Sequence, residues 1–411
     1  MVSRARRCYQ AVMGTSASPR PDVEPGPLRA AAGLMLGPAV ALGLGRFAYA
    51  LVLPDMRADL SWSFATAGTM NTANALGYLV GALVAARSAR RFGERRMFLL
   101  SLLVTALLLA ASALTGASAA VFLLRLGAGA AGAVSFVVGG GLVARAGRDS
   151  TDRTATLALG VYFAGGGAGI LLSGLVVPVV LHAGGWRAAW AVIGALSALA
   201  VLAVVPVVRR LRQSAPGGRD LAAAPAELRP LIALATCYGL FGAGYIAYMT
   251  FIIALLESSG AEPGQVTAFW VLLGGAAAGA GFAWNTVLAR LRPGYGTALV
   301  LAVLTTGAAI PVVWTGTAGF AVSAVLFGGS FLTVVTAVTG SVRRVLPTDR
   351  WTGAIGALTV VFALGQCAGP LLSGALSDGH GGVSAGLTIG AALLAIASVL
   401  AFVQGLRRTA D

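Results

Sequence analysis

The amino-acid sequence predicts an all-α polytopic membrane protein, with twelve transmembrane helices in two pseudo-symmetric six-helix bundles. Three observations carry that reading. Of 411 residues, 57% are hydrophobic and 10% charged, where a soluble domain has about a quarter of its residues charged. Charged and Pro/Gly punctuation cuts the chain into apolar pieces of about 20 residues, the length needed to cross a hydrocarbon core of roughly 30 Å. Two short motifs then recur at nearly the same separation, as a duplicated bundle requires.

Residues 1–28 carry Arg4, Arg6, Arg7 and Arg20 among four prolines. They lack the apolar core of a signal peptide and are expected to form a disordered basic cytoplasmic tail. Six spans follow in an N-terminal bundle, 29–208, at 29–55, 65–86, 96–115, 119–144, 154–182 and 187–208. The stretch RRLRQSAPGGRDLAAAPAEL, 209–228, mixes charge, proline and a glycine pair, which reads as a cytoplasmic linker. Six more spans at 230–256, 265–289, 296–315, 318–342, 352–377 and 384–405 make a C-terminal bundle, 229–406, before a cytoplasmic tail at 407–411.

Arginine fixes the orientation, because cytoplasmic loops retain basic residues and short translocated loops do not. With both termini inside, 25 of the 29 basic residues fall on the cytoplasmic side and only Arg57 and Arg187 outside. The expected location is therefore the cytoplasmic (inner or plasma) membrane, multi-pass. Every basic residue is arginine, so a P-loop lysine or a Schiff-base lysine is impossible and the chain by itself does not drive transport with ATP. The net charge of +15 is topology, and no nucleic-acid partner is implied. Cys8, Cys237 and Cys367 are too few and too scattered for a disulfide framework or a zinc site. No metal cluster, nucleophile elbow or acid pair appears, so neither an enzyme nor a cofactor is expected.

GGGAGILLSG, Gly165–Gly174, matches GQCAGPLLSG, Gly365–Gly374, at seven of ten positions with an offset of 200. GLGRFAY, Gly43–Tyr49, matches GAGYIAY, Gly242–Tyr248, at an offset of 199. Two halves of six spans as parallel repeats around a cytoplasmic linker are the layout of a rocking secondary transporter.

From about Leu28 to Arg407 the chain resembles the major facilitator superfamily, and GRFAYALVLPDM and ANALGYLVGALVAARSARRFG are similar to its YbfB/YjiJ group. The resemblance implies alternating access around a central cavity lined by spans 1, 4, 7 and 10. The superfamily loop G-x-x-x-D-R-x-G-R-R is met by Arg91, Gly93 and Arg95, with Arg90 where the acid should stand. The fourth-span pattern R-x-x-Q-G-x-G-A-A is met by Arg125, Gly129 and Ala133, with Ala128 for the glutamine. The antiporter pattern G-x-x-x-G-P-x-x-G-G is approached by Gly165, Gly169 and Gly174, and fits better in span 11 at Gly365, Gly369, Pro370 and Gly374. These glycines, with Arg91 and Gly93, are gating or packing candidates, since small residues let membrane helices approach closely. GAGAAG, Gly127–Gly132, spells a dinucleotide fingerprint but follows no strand. Trp62, Trp186 and Trp351 near span ends are expected at the membrane interface.

No carboxylate falls near mid-membrane. A coupling proton or ion would have to use Asp55, Glu257 or Asp378 at outer span ends, His182, or the substrate itself. The polar side chains available to a cavity are Arg46, Tyr49, Asn74, Tyr78, Arg125, Tyr245, Tyr248 and Gln366, with Asn71, Tyr162, Asn285, Thr333 and Thr336 beside them. Arg46 and Arg125 lie at similar depth, and a membrane-centred arginine costs about 2.5–3.5 kcal/mol unless it faces a polar interior. Either carbonyls, amides and water satisfy them, or they pair with an anionic group of the substrate. The reading is a monomeric secondary transporter of a small organic solute, anionic or amphipathic, working by alternating access with efflux favoured. An importer or exchanger of organic anions is the alternative, and a non-transporting membrane sensor a more remote one.

Overall fold

The computed structural model describes residues 25–148, 150–211, 231–291, 295–347 and 350–410. The tail expected at 1–28 and the linker expected at 209–228 lie almost wholly outside the described residues. Within them the chain is helical throughout, beginning with α1 (Pro27–Asp59), α2 (Phe64–Phe92), α3 (Glu94–Ala111) and α4 (Ser118–Ala146). A continuous helical stretch, Asp152–Arg210, is broken at Gly185, whose φ of 69° is non-helical and suits glycine; it supplies α5 (152–184) and α6 (186–210). The second half holds α7 (Ile232–Ser258), α8 (Pro263–Arg290), α9 (Tyr295–Val313), α10 (Thr317–Val345), α11 (Trp351–Ser377) and α12 (Gly382–Ala410).

Ten helices are long and apolar enough to cross a bilayer when Asp152–Arg210 is counted once. Among the described residues, dividing that stretch at Gly185 gives eleven of the expected twelve spans, and α2, expected as the remaining one, is not among the ten. At 29 residues α2 is long enough, about 44 Å, but it is the most polar of the set. Its amides and threonines point inward, toward α4, α7 and α11, as described below.

The chain turns sharply where the sequence allows it. Ser63 caps α2 by accepting the Thr66 N–H at 3.1 Å. Gly93, with φ 86°, makes the turn into α3. Glu94 opens α3 and forms an ion pair with Arg145 at the end of α4.

Helix α1 is irregular. Ala39–Phe47 is a nine-residue π-helix, closed by the Ala48 N–H on the Gly43 carbonyl at 2.9 Å. Such windings are rare and concentrate at functional sites. The repeat shows what this one does. Up to the first residue of the π-helix, Met35 and Ala39 pack on Gly165 and Gly169 as Gly239 and Ala243 pack on Gly365 and Gly369, an offset of 204. Beyond it the tyrosines matched in sequence, Tyr49 and Tyr248, meet different partners: the Arg125 guanidinium of α4 lies over the Tyr49 ring, while Tyr248 stacks on Phe327 of α10. The wider winding takes up part of the extra length of α1, so the two halves part company where Arg46 sits.

The two bundles are tied together at the end away from the chain termini. Asn71 Nδ2 donates to Thr250 Oγ1 at 2.5 Å, Thr72 Oγ1 to the Cys367 carbonyl at 2.8 Å, and Trp270 Nε1 to Ser173 Oγ at 3.0 Å. At the extreme of that end, Asp378 accepts the Phe64 and Ala65 N–H groups.

Candidate solute-binding site

The two intramembrane arginines meet, and they have different employment. Arg125 is 1% exposed. Its Nη1 donates to the Gly45 carbonyl at 2.7 Å, and Nη2 lies 3.5 Å from both the Arg46 carbonyl and Asn71 Oδ1. The guanidinium sits over the Tyr49 ring at 4.5 Å and the Trp190 ring at 5.6 Å. A cation over stacked aromatic faces, donating to carbonyls at the π-helix exit, is a structural clamp on α1.

Arg46 is 3% exposed. Its Nε and Nη2 are buried with no hydrogen-bond partner, and it forms no ion pair among the described residues. Its guanidinium carbon lies 5.4 Å from the Tyr78 ring and 6.0 Å from that of Phe47. Tyr78 lies on α2, and the adjacent Phe47 packs on Phe331 of α10 in the other half. Arg46 therefore faces the seam between the bundles.

Across that seam Gln366 Nε2 donates to the Tyr245 hydroxyl, while Gln366 Oε1 is buried without a partner. Thr333 Oγ1 on α10 and Asn74 Oδ1 on α2 are in the same condition. Around Tyr245 the rings of Tyr238, Phe241 and Phe362 lie within 20° of parallel, with centroids 4.6–5.9 Å apart. Phe331 extends this wall to Phe47 of α1, 5.7 Å away and perpendicular. Phe241, Phe331 and Phe362 were not among the candidates from sequence; the spacing Tyr238, Phe241, Tyr245, Tyr248 along one helix face was a signal for Phe241, while Phe331 and Phe362 come from α10 and α11 with no such pattern.

The other expected site residues are placed as follows. Asn74 Nδ2 donates to the Arg125 carbonyl at 3.1 Å, binding α2 to α4. Tyr49 donates to the Ala67 carbonyl at 2.9 Å and Tyr162 to the Phe136 carbonyl at 2.7 Å. Tyr248 turns into the C-terminal bundle, where its hydroxyl meets Ser323 Oγ at 2.5 Å. Thr336 is exposed, and the Asn285 side chain lies outside the described residues. Arg91 is exposed beside Phe92. Four residues beyond Arg90, Glu94 forms an ion pair with Arg145 of the same half. Gly174 packs on Trp270 of α8, and Gly374 on the Phe64 carbonyl. Trp62 and Trp186 correct an expectation: both are buried, donating to Ser118 Oγ at 3.0 Å and Asp59 Oδ2 at 2.8 Å. They are internal ties, because these polar partners lie on neighbouring helix ends of the same bundle.

A two-half helical bundle with its polar side chains turned toward the seam is the architecture of a major facilitator transporter. The chain belongs to the family described as "Uncharacterised MFS-type transporter YbfB", whose profile matches residues 38–402. A comparison with curated proteins finds no match. Among solved structures, the nucleoside transporter NupG is similar at 17% identity and a TM-score of 0.69, covering 91% of this chain and 98% of that one. A bacterial homologue of the human lysosomal transporter Spinster, inward-facing and occupied, gives 15% and 0.70, covering 92% and 97%. The human organic anion transporter MFSD10 gives 17% and 0.64, covering 92% and 100%. At these identities the likeness is one of fold.

Proposed function

We propose that this chain is a secondary active transporter that moves a small organic solute, anionic or amphipathic, across the cytoplasmic membrane by alternating access in the efflux direction. One observation carries the choice of solute: a buried, permanently charged guanidinium, Arg46, keeps two donors unspent at the seam of the bundles. Leaving charged donors buried and unpaired is costly, and a site that binds an anion for part of its cycle explains why they are kept. The solved structures sharing the fold carry nucleoside, lysosomal and organic-anion names, so fold alone does not select a solute class.

In this reading one chain suffices as a monomer, since it supplies both halves. Both termini and the 209–228 linker are cytoplasmic, so the end tied by Asp378 is the outer gate. Solute would enter from the cytoplasmic side, be held between Arg46 and the Tyr245–Gln366 pair, and leave when the ties of Asn71, Thr72 and Asp378 open. Any coupling proton would bind the outer carboxylates Asp55, Glu257 or Asp378, or travel on the solute.

The test is counterflow in proteoliposomes with a mixture of labelled organic anions, cations and neutral solutes. Accumulation of an anion that is abolished by Arg46→Gln supports the reading. Movement of cations alone, with Arg46→Gln fully active, rejects it.

A further inference from the structure

Resting on that proposed site, the geometry points to a narrower solute: we propose that Arg46 seats the carboxylate of a planar aromatic acid that also carries a hydroxyl or N–H donor. The free nitrogens are Nε and Nη2. These two N–H groups lie on one edge of the guanidinium plane, which is the edge that grips a carboxylate with two parallel hydrogen bonds. A single anionic group matches it. A dianion would need a second cation with a free bidentate edge, and Arg125, the neighbour at that depth, has given its Nη1 to the Gly45 carbonyl and set its Nη2 against the Arg46 carbonyl and Asn71, leaving Nε alone unpartnered.

The rest of the solute is specified by what surrounds the charge. The half-buried Tyr78 ring lies 5.4 Å from the Arg46 guanidinium carbon, and a second half-buried ring, Phe362 of α11, belongs to the near-parallel set with Tyr238, Phe241 and Tyr245. Flat aromatic walls favour a flat aromatic body through offset stacking. Gln366 spends its amide donor on Tyr245 and leaves Oε1 buried and unmatched. An acceptor in that state favours a ligand bearing a donor, because a site built to hydrogen-bond a substrate group discriminates against analogues that lack it. Carboxylate, ring and donor thus correspond to three features of one seam.

The purified full-length chain in lipid nanodiscs is titrated with 4-hydroxybenzoate, benzoate, methyl 4-hydroxybenzoate and 4-hydroxybenzylamine. The hydroxy acid is expected to bind at least about fivefold more tightly than benzoate, and the ester and amine not detectably. Arg46→Gln should weaken the hydroxy acid at least about tenfold, and Gln366→Met should erase its advantage over benzoate. A second measurement does not depend on variants of the site. In a Cys8→Ser background, alkylation of Cys367, which follows Gln366 on α11, should be slowed by the hydroxy acid and untouched by its ester. Equal binding of acid and ester, equal affinity in wild type and Arg46→Gln, or unprotected Cys367 overturns the inference. Counterflow separates the two levels. A chain that moves another solute but ignores aromatic acids loses this inference alone, whereas one that binds the hydroxy acid and never moves it loses the transporter reading and keeps the site.

Discussion

The Asp378 carboxylate at the end of α11 accepts the Phe64 N–H at 2.7 Å and the Ala65 N–H at 3.0 Å, capping α2 from the opposite half of the molecule. The first turn of a helix carries unsatisfied donors and a partial positive charge, so a carboxylate placed there is both a cap and a tie between bundles. Exposed caps of this kind contribute about 0.5–2 kcal/mol, here toward the lower end because water competes. Asp378→Ala is expected to shift this end toward the open form about fivefold. Spin labels at Ser61 and Gly381 would report it as growth of a long-distance population; an unchanged distance distribution would remove Asp378 from the gate.

Behind that cap the helices touch backbone to backbone. A methyl group at Gly68 of α2 would run into the Pro370 carbonyl of α11. Overpacking a close helix contact costs roughly 1–3 kcal/mol, here charged only to the closed form. Gly68→Val should therefore prop the end open and raise alkylation of a Thr72→Cys probe, now tied to Cys367, by about tenfold or more. Alkylation at the wild-type rate would mean that α2 and α11 do not separate here.

Much of this architecture is legible in the sequence, and the gaps have physical causes. Span positions follow from hydropathy, and Arg46 and Arg125 stand out because a charge in an apolar run is costly wherever it points. What hydropathy cannot show is direction. AVALGLGRF has no period that distinguishes a π from an α winding, yet that winding presents the Gly45 and Arg46 carbonyls to Arg125 and leaves Arg46 free. The tie of Asp378 to Phe64 joins residues 314 apart in the chain, and no local pattern announces it. Trp62 and Trp186 fail as interface anchors for the same reason: a span end has a wet side and a packed side, and composition does not say which an indole takes.

The orientation rests on arginine distribution and is open to direct test. An alkaline phosphatase fused after Leu211 should be silent and one after Gly260 active, since the first would lie with the basic loops and the second at the end closed by Asp378. The opposite pattern would invert the molecule, and with it the assignment of Asp378 to an outer gate.

The contrast between the two arginines predicts opposite effects on stability. Arg125 donates to the Gly45 carbonyl and stands over Tyr49 and Trp190; replacing it leaves a buried acceptor unmatched at the π-helix exit. Loss of a buried charge-assisted pair costs about 2–4 kcal/mol, so Arg125→Gln should lower the Tm by several degrees and fail to bind solute only as far as it fails to fold. Arg46 has two donors with nothing to meet. Replacing it removes an uncompensated buried charge, and Arg46→Gln should leave the apo Tm unchanged or raise it. Added 4-hydroxybenzoate should then stabilise wild type and leave Arg46→Gln unmoved. Thermal unfolding of the three proteins in one detergent decides the matter. If Arg46→Gln falls as far as Arg125→Gln, and ligand rescues neither, then Arg46 is part of the scaffold and the seam must find its charge elsewhere.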